Sequence, residues 1–254
     1  MHAILLAAGL GRRLDEITGG GPKCLLPFGQ ASLLERHLRL LESAGVSRLT
    51  LVVGFEAMQI EQALGALAPD AAPQMTIDTV HNAAFRQGSA QSVLAARSIL
   101  EDDGEFLLMD ADVLYDGRLL ERLLAADQSD ALGLDTRVGV DDAEAVKTYL
   151  KDERIVAFTK TLPEALDYDR VGESVGFFRL SSATAKALMV ECERVAEADE
   201  DAPYEDALQH VMCRDQASFA AVDVSDLPWI EVDYPEDIDR AMDEILPQLQ
   251  TIQG

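Results

Sequence analysis

The 254 residues carry 46 Asp and Glu against 21 Lys and Arg, a formal net charge of −25. That balance argues against a nucleic-acid partner, because such affinity comes largely from Lys and Arg neutralising phosphates. With 48% hydrophobic and 26% charged residues, the composition is that of an ordinary globular chain. No apolar run approaches the ~18–20 residues that a membrane span needs. Residues 1–6 lack the basic region and cleavage site of a signal peptide, so a cytoplasmic location is expected. Cys24, Cys192 and Cys213 are odd in number and have no Cys-x-x-Cys spacing. They read as reduced packing thiols, not as a disulfide framework or a zinc site.

Residues 3–8 form a continuous apolar run closed by Gly9, the pattern of a strand covered on both faces. Residues 32–44, rich in leucine and followed by Gly45, predict a helix with a glycine stop. A strand over 48–54, a helix over 56–67, a strand over 75–80, a helix over 89–100, a strand over 105–109 and a helix over 119–126 follow. This alternation predicts right-handed βαβ units, hence an α/β fold with a mostly parallel sheet flanked by helices. Ligands are then expected at the C-terminal ends of the strands.

The pattern changes in the second half. Residues 145–151 and 154–160 alternate around Asp152-Glu153 and predict a hairpin. A strand over 175–180, helices over 183–196 and 204–211, strands over 219–224 and 229–232, and a closing helix over 235–246 complete the reading. Without an internal repeat or a long linker, a single domain spanning 1–254 is expected, its later part an elaboration on the first.

The segment with the most chemistry is Leu6-Ala7-Ala8-Gly9-Leu10-Gly11-Arg12-Arg13-Leu14, followed by Pro22-Lys23. Two glycines at a strand end let the backbone turn tightly and aim N–H groups at an anion. Arg12, Arg13 and Lys23 add cations to a chain otherwise short of them, making a triphosphate cradle. A dinucleotide-binding loop would need a third glycine where Leu14 stands, and a Walker loop's Gly-Lys-Ser/Thr is absent. Asp110-Ala111-Asp112 follows an apolar run and so lies at a strand's C-terminal end, where a carboxylate can hold Mg²⁺. Asp233 precedes Pro235-Glu236-Asp237, an arrangement that by itself also reads as an ordinary helix N-cap.

Together these stretches resemble the sugar-phosphate and alcohol-phosphate nucleotidyltransferases, whose signature runs L-A-A-G-x-G-x-R-L…P-K and whose chain closes with an Asp ahead of a P-E-D helix. The Asp-Ala-Asp variant is closest in pattern to bacterial phosphocholine and inositol-phosphate cytidylyltransferases. The resemblance implies a Rossmann-like fold, with residues 1–136 binding the NTP and 137–254 the acceptor. It puts the NTP over Leu6, Ala8, Gly9, Gly11 and Arg12, with Arg13 on the β and γ phosphates and Lys23 on the transferring α-phosphoryl group. It makes Asp112 and Asp233 the ligands of Mg²⁺. Gly88 and Ser89 fall in the stretch that reads the base, although capping of the next helix accounts for Ser89 equally well. Lys160 is the candidate for the acceptor phosphate, and Tyr204 and Glu205 lie where an amine-bearing alcohol would be met.

The activity so implied is Mg²⁺-dependent transfer of CMP from CTP to a small phosphorylated alcohol, such as phosphocholine, an inositol phosphate or an aminoalkylphosphonate, with release of pyrophosphate. Two other readings stay open: a sugar-1-phosphate nucleotidyltransferase using UTP, GTP or dTTP, and a catalytically silent nucleotide-binding regulatory module. The four histidines form no His-x-Gly-His pair, and neither a zincin nor a serine-hydrolase motif is present.

Overall fold

Strand His2–Ala7 is buried along most of its length and pairs in parallel with Arg48–Val53, which pairs in parallel with Thr76–His81. These strands belong to a computed structural model that describes residues 1–137, 145–161, 164–214 and 218–250. Helices Leu33–Ser43 and Ala57–Ala71 make the connections between them. This is the Rossmann-like α/β arrangement of parallel strands and crossover helices that the alternation predicts. Among the described residues, no helix is long and apolar enough to cross a membrane.

By contacts the chain divides into two compact units that are interleaved along the sequence. The first comprises Met1–Arg86, Met109–Glu121 and Leu227–Gly254; the second comprises Gln87–Leu108 and Arg122–Asp226. This division does not fall at residue 136.

In the first unit, Ser32 caps helix Leu33–Ser43 by accepting a hydrogen bond from the Glu35 amide at 3.2 Å. Leu33, Leu34, His37, Leu38 and Leu41 form its buried stripe. The last segment returns as strand Trp229–Glu231, antiparallel to Val113–Tyr115, with Glu231 opposite Val113. One register further on, the Val232 amide donates to the Asp112 carbonyl at 2.9 Å. A core of Leu14, Leu26, Phe28, Leu33, Leu114, Ile230 and Val232 packs beneath this junction.

In the second unit, Lys147–Lys151 and Arg154–Thr159 form an antiparallel hairpin. Asp152 and Glu153 turn it, both with positive φ, as a tight two-residue turn requires. Lys147–Lys151 also pairs with Arg170–Ser181, which pairs in turn with Asp130–Asp135. Asp130–Asp135 is a strand that the sequence pattern does not announce, and Arg170–Ser181 is twice the length expected. The helix expected over 89–100 is two short helices, Ala90–Ala95 and Arg97–Leu100, because the Ala96 amide turns back to the Val93 carbonyl at 3.0 Å. The closing helix likewise runs as an α turn over Pro235–Arg240, then widens over Ala241–Ile245 and tightens over Leu246–Gln248.

Candidate active site

The loop after strand His2–Ala7 turns at Gly11, whose φ of 61° lies in the left-handed region. A Cβ on Gly11 would stand 2.9 Å from Lys23 Cγ, so the lysine stem occupies the space that a side chain would need. Gly11→Ala is therefore expected to cost about 1–2 kcal/mol of stability, from the left-handed backbone alone. Gly9, with nothing within 4 Å of a Cβ, serves as the comparison, and Gly9→Ala should change stability by under ~0.5 kcal/mol. Equal denaturation midpoints for the two variants would refute the assignment of strain to Gly11.

Lys23 sits in a short 3-10 turn, Lys23–Leu25, and its Nζ donates to Asp112 Oδ2 at 3.2 Å and to Asp233 Oδ1. Burial alone would lower the pKa of this ammonium. Asp112 and then Asp233 outweigh it, so the pKa is raised and Lys23 stays charged. Arg13 donates to the other oxygen of Asp233 at 3.1 Å and lies over the Tyr234 ring, 4.7 Å from its centroid. Four of the residues singled out in the sequence, Arg13, Lys23, Asp112 and Asp233, are thus brought into one group.

The cleft beside them is lined by Leu6, Ala7, Gly9, Gly11, Lys23 and Asp112 and holds about 350 Å³ including its open mouth. Arg12 is exposed and Ala8 is buried, so the two stand apart from the lining. Cys24 also borders the cleft. Burial first, and Asp112 second, push its thiol up to about 12, which leaves it protonated and unreactive.

Asp233 does not cap the helix that follows it. The Asp237 carboxylate does, accepting from the Asp233 amide at 3.0 Å and the Tyr234 amide at 2.8 Å. The Asp233 side chain is left to face Lys23 and Arg13, which distinguishes the site reading from the capping one.

Asp112, Asp233 and a third residue, Glu231, each offer a carboxylate oxygen within 4.8 Å of the others. An all-oxygen set suits a hard cation such as Mg²⁺, whose opposite ligands sit ~4.2 Å apart. Glu231 ends strand Trp229–Glu231, two residues before Asp233, and the motifs of the sequence do not single it out.

The remaining candidates lie in the second unit. Gly88 donates its amide to the Glu200 carbonyl at 3.0 Å, and a Cβ there would meet the Ala202 carbonyl oxygen at 2.2 Å. Ser89 stands at the start of helix Ala90–Ala95 but makes no side-chain cap. Its Oγ accepts from the Tyr204 amide at 2.9 Å and donates to Glu205 Oε2 at 3.4 Å. Burial raises the Glu205 pKa, and the nearby Lys160 ammonium and Ser89 hydrogen bond oppose the rise. Lys160 is exposed just past its strand. Tyr204 is 3% exposed, with its ring edge-on to Phe178 at 6.2 Å between centroids. Its ring is a core contact, not the open aromatic wall expected beside an amine.

Residues 3–166 match the family model described as the MobA-like NTP transferase domain. A bifunctional IPC transferase and DIPP synthase of Rubrobacter xylanophilus is 30% identical over 246 residues, which are 96% of this chain and 52% of that protein. A CMP-5'-(3-aminopropyl)phosphonate synthase of Streptomyces rubellomurinus is 30% identical over 253 residues, 93% of this chain and 37% of that one. The chain therefore spans about half, or less, of the length of these relatives. Among solved structures, the inositol-1-phosphate CTP transferase from T. maritima superposes with a TM-score of 0.75 at 24% identity, covering 98% of both chains. A UDP-glucose pyrophosphorylase complexed with UDP-glucose gives 0.74 at 15% identity, covering 95% of this chain and 96% of that one. At these identities the structural likenesses establish the fold.

Proposed function

Because the chain belongs to the MobA-like NTP transferase domain family, we propose that it transfers CMP from CTP to a small phosphorylated alcohol and releases pyrophosphate. The observation that carries this reading is the charged Lys23 ammonium held between the carboxylates of Asp112 and Asp233 beside the Gly11 turn. CTP as donor is supported by the names of the relatives, a CTP transferase and a CMP-phosphonate synthase, together with the Asp-Ala-Asp pattern. In this reading residues 1–136 bind the NTP and residues 137–254 the acceptor, within one nucleotidyltransferase domain.

In the reaction, an oxygen of the acceptor's phosphate forms a bond to the α-phosphorus of CTP. The bond from that phosphorus to the bridging oxygen breaks, and pyrophosphate leaves with the electron pair. The acceptor is already an anion, so no general base is needed. Lys23 meets the charge on the transferring phosphoryl group, and Arg13, oriented by Asp233 and Tyr234, meets the leaving phosphates. Asp112, Asp233 and Glu231 would hold Mg²⁺, which when bound neutralises charge on the NTP phosphates. Lys160 and Glu205 are the residues we assign to the acceptor; the Lys160 ammonium opposes the rise that burial gives the Glu205 pKa.

The test is pyrophosphate release with Mg²⁺, crossing four NTPs against phosphorylated alcohols, aminoalkylphosphonates and sugar 1-phosphates. The expected result is release with CTP and an alcohol phosphate or phosphonate. Release with another NTP and a sugar 1-phosphate would replace the substrates proposed. Binding of NTPs without release for any acceptor would overturn the reading in favour of a regulatory module.

A further inference from the structure

Helix Tyr204–Met212 starts after Pro203, which has no polar side chain with which to cap it. The first amides of a helix have no partner within it and must find one elsewhere. Here the Tyr204 amide is met by Ser89, 115 positions earlier in the chain, whose Oγ accepts from it at 2.9 Å. The same hydroxyl donates its proton to Glu205 Oε2 at 3.4 Å. A serine hydroxyl has one proton to give and lone pairs to receive, so it can serve both groups at once. Its own helix, Ala90–Ala95, goes without a side-chain cap.

Backbone bonds fasten the two segments together around this hydroxyl. The Gly88 amide donates to the Glu200 carbonyl at 3.0 Å and the Ala90 amide to the Ala202 carbonyl at 3.2 Å. Gln87 Nε2 reaches the Glu200 carboxylate at 2.8 Å. Only a glycine allows so close an approach, since a Cβ on Gly88 would run into the Asp201 and Ala202 carbonyls. On the other side of the helix start, the Tyr204 ring is held edge-on to Phe178. The ring thus sets the helix in the core, and Ser89 sets its first turn. Glu205, half-buried in that turn, is a side chain with several free rotations, and a bond at its carboxylate limits them.

We propose that Ser89 is a positioning residue for the acceptor, holding the Glu205 carboxylate and the helix start that carries it, and that its hydroxyl does not read the base. The inference rests on the assignment of Glu205 to the acceptor given above. It gives Ser89 an acceptor role although it lies among residues 1–136. It predicts a split in the kinetics: loss of the hydroxyl weakens the acceptor and leaves CTP unaffected.

The probes are CTP, Mg²⁺ and whichever of phosphocholine, an inositol phosphate or an aminoalkylphosphonate releases pyrophosphate with it. Ser89→Ala is expected to raise the acceptor KM by ~10-fold, the scale of a hydrogen bond to a charged group, with the CTP KM within about twofold of the parent. Ser89→Thr, which keeps the hydroxyl, should stay within about threefold for both. Glu205→Gln should raise the acceptor KM as well, and adding Ser89→Ala to it should change that KM by less than about twofold, because the two act through one contact. A helix tie without a part in recognition would lower the melting temperature and leave the acceptor KM at its parental value, which would overturn the proposal. A tenfold rise in the CTP KM of Ser89→Ala would also overturn it, in favour of base reading. Ser89→Cys, of similar size and a weaker donor, carries the same test if Ser89→Ala does not fold. Parental acceptor KM in Glu205→Gln, or silence from all three acceptors, means that the reading of the site itself fails. If Glu205→Gln is impaired while Ser89→Ala is not, only the positioning role fails.

Discussion

Lys23→Ala should lower turnover by roughly 10²–10³-fold, the scale of removing one preorganised charge contact from a reacting centre. The prediction has a second part that a simple loss of fold would not reproduce. In the proposed site, Lys23 and a bound cation would compete for the same two carboxylates, Asp112 and Asp233. Removing the ammonium leaves the two carboxylates facing each other with only Arg13, on Asp233, to offset their charge. Mg²⁺ binding to Lys23→Ala should therefore be at least as tight as to the parent, while turnover collapses. Kinetics at saturating Mg²⁺ alongside calorimetric Mg²⁺ titration would check both. Near-parental turnover would sink the assignment of Lys23. A loss of metal affinity in step with turnover would show that the lysine supports the cation site and does not compete with it.

The other large effect is expected at the carboxylates. Asp112→Asn and Asp233→Asn should each abolish Mg²⁺-dependent turnover, since an amide offers a weaker, uncharged oxygen to a hard cation. Glu231→Gln should act more mildly, raising the Mg²⁺ needed for half-maximal rate by ~10-fold. The Asp233 change should leave the fold nearly intact, within ~1 kcal/mol. Its side chain is 28% exposed, and capping of the following helix is the work of Asp237. Circular dichroism and a Mg²⁺ series on the three variants are the measurements. Full activity at low Mg²⁺ in either Asn variant would refute the metal assignment.

Much of this was legible in the chain itself because the informative residues come in compact runs. Gly9 to Lys23 and Asp110 to Asp112 each follow an apolar strand, so the alternation that reveals the fold also places the motifs at strand ends. What escaped was of another kind. Strand Asp130–Asp135 is buried, yet its sequence D-A-L-G-L-D offers only three apolar residues larger than glycine. Strand Arg170–Ser181 is interrupted in sequence by Arg170, Glu173, Gly176 and Arg179, and only a bulge near Gly176, with φ of 76°, lets it run on. Glu231 was hidden at the end of the short strand Trp229–Glu231. Tyr204 misled in the opposite sense, because an aromatic residue beside two acids suggests a binding wall when its ring is part of a core. A linear pattern reports the period of burial, not which polar residue the fold turns inward.

The interleaving of the first unit bears on how the protein comes into being. Arg13 and Asp233 are partners across 220 positions, and Lys23 and Asp233 across 210. On the ribosome, the glycine loop and the Asp110–Asp112 turn emerge long before the strand and helix that bring Glu231 and Asp233. In the proposed site, the nascent polypeptide would carry Lys23 and Asp112 without Asp233 through the synthesis of residues 122–226, the larger part of the second unit. Contacts of such long separation close late, since the entropy of the intervening loop is lost before they repay it. In the proposed site, competence therefore waits until Glu231 and Asp233 have been made and docked, and a translation product that stops short of them lacks two of the three candidate cation ligands.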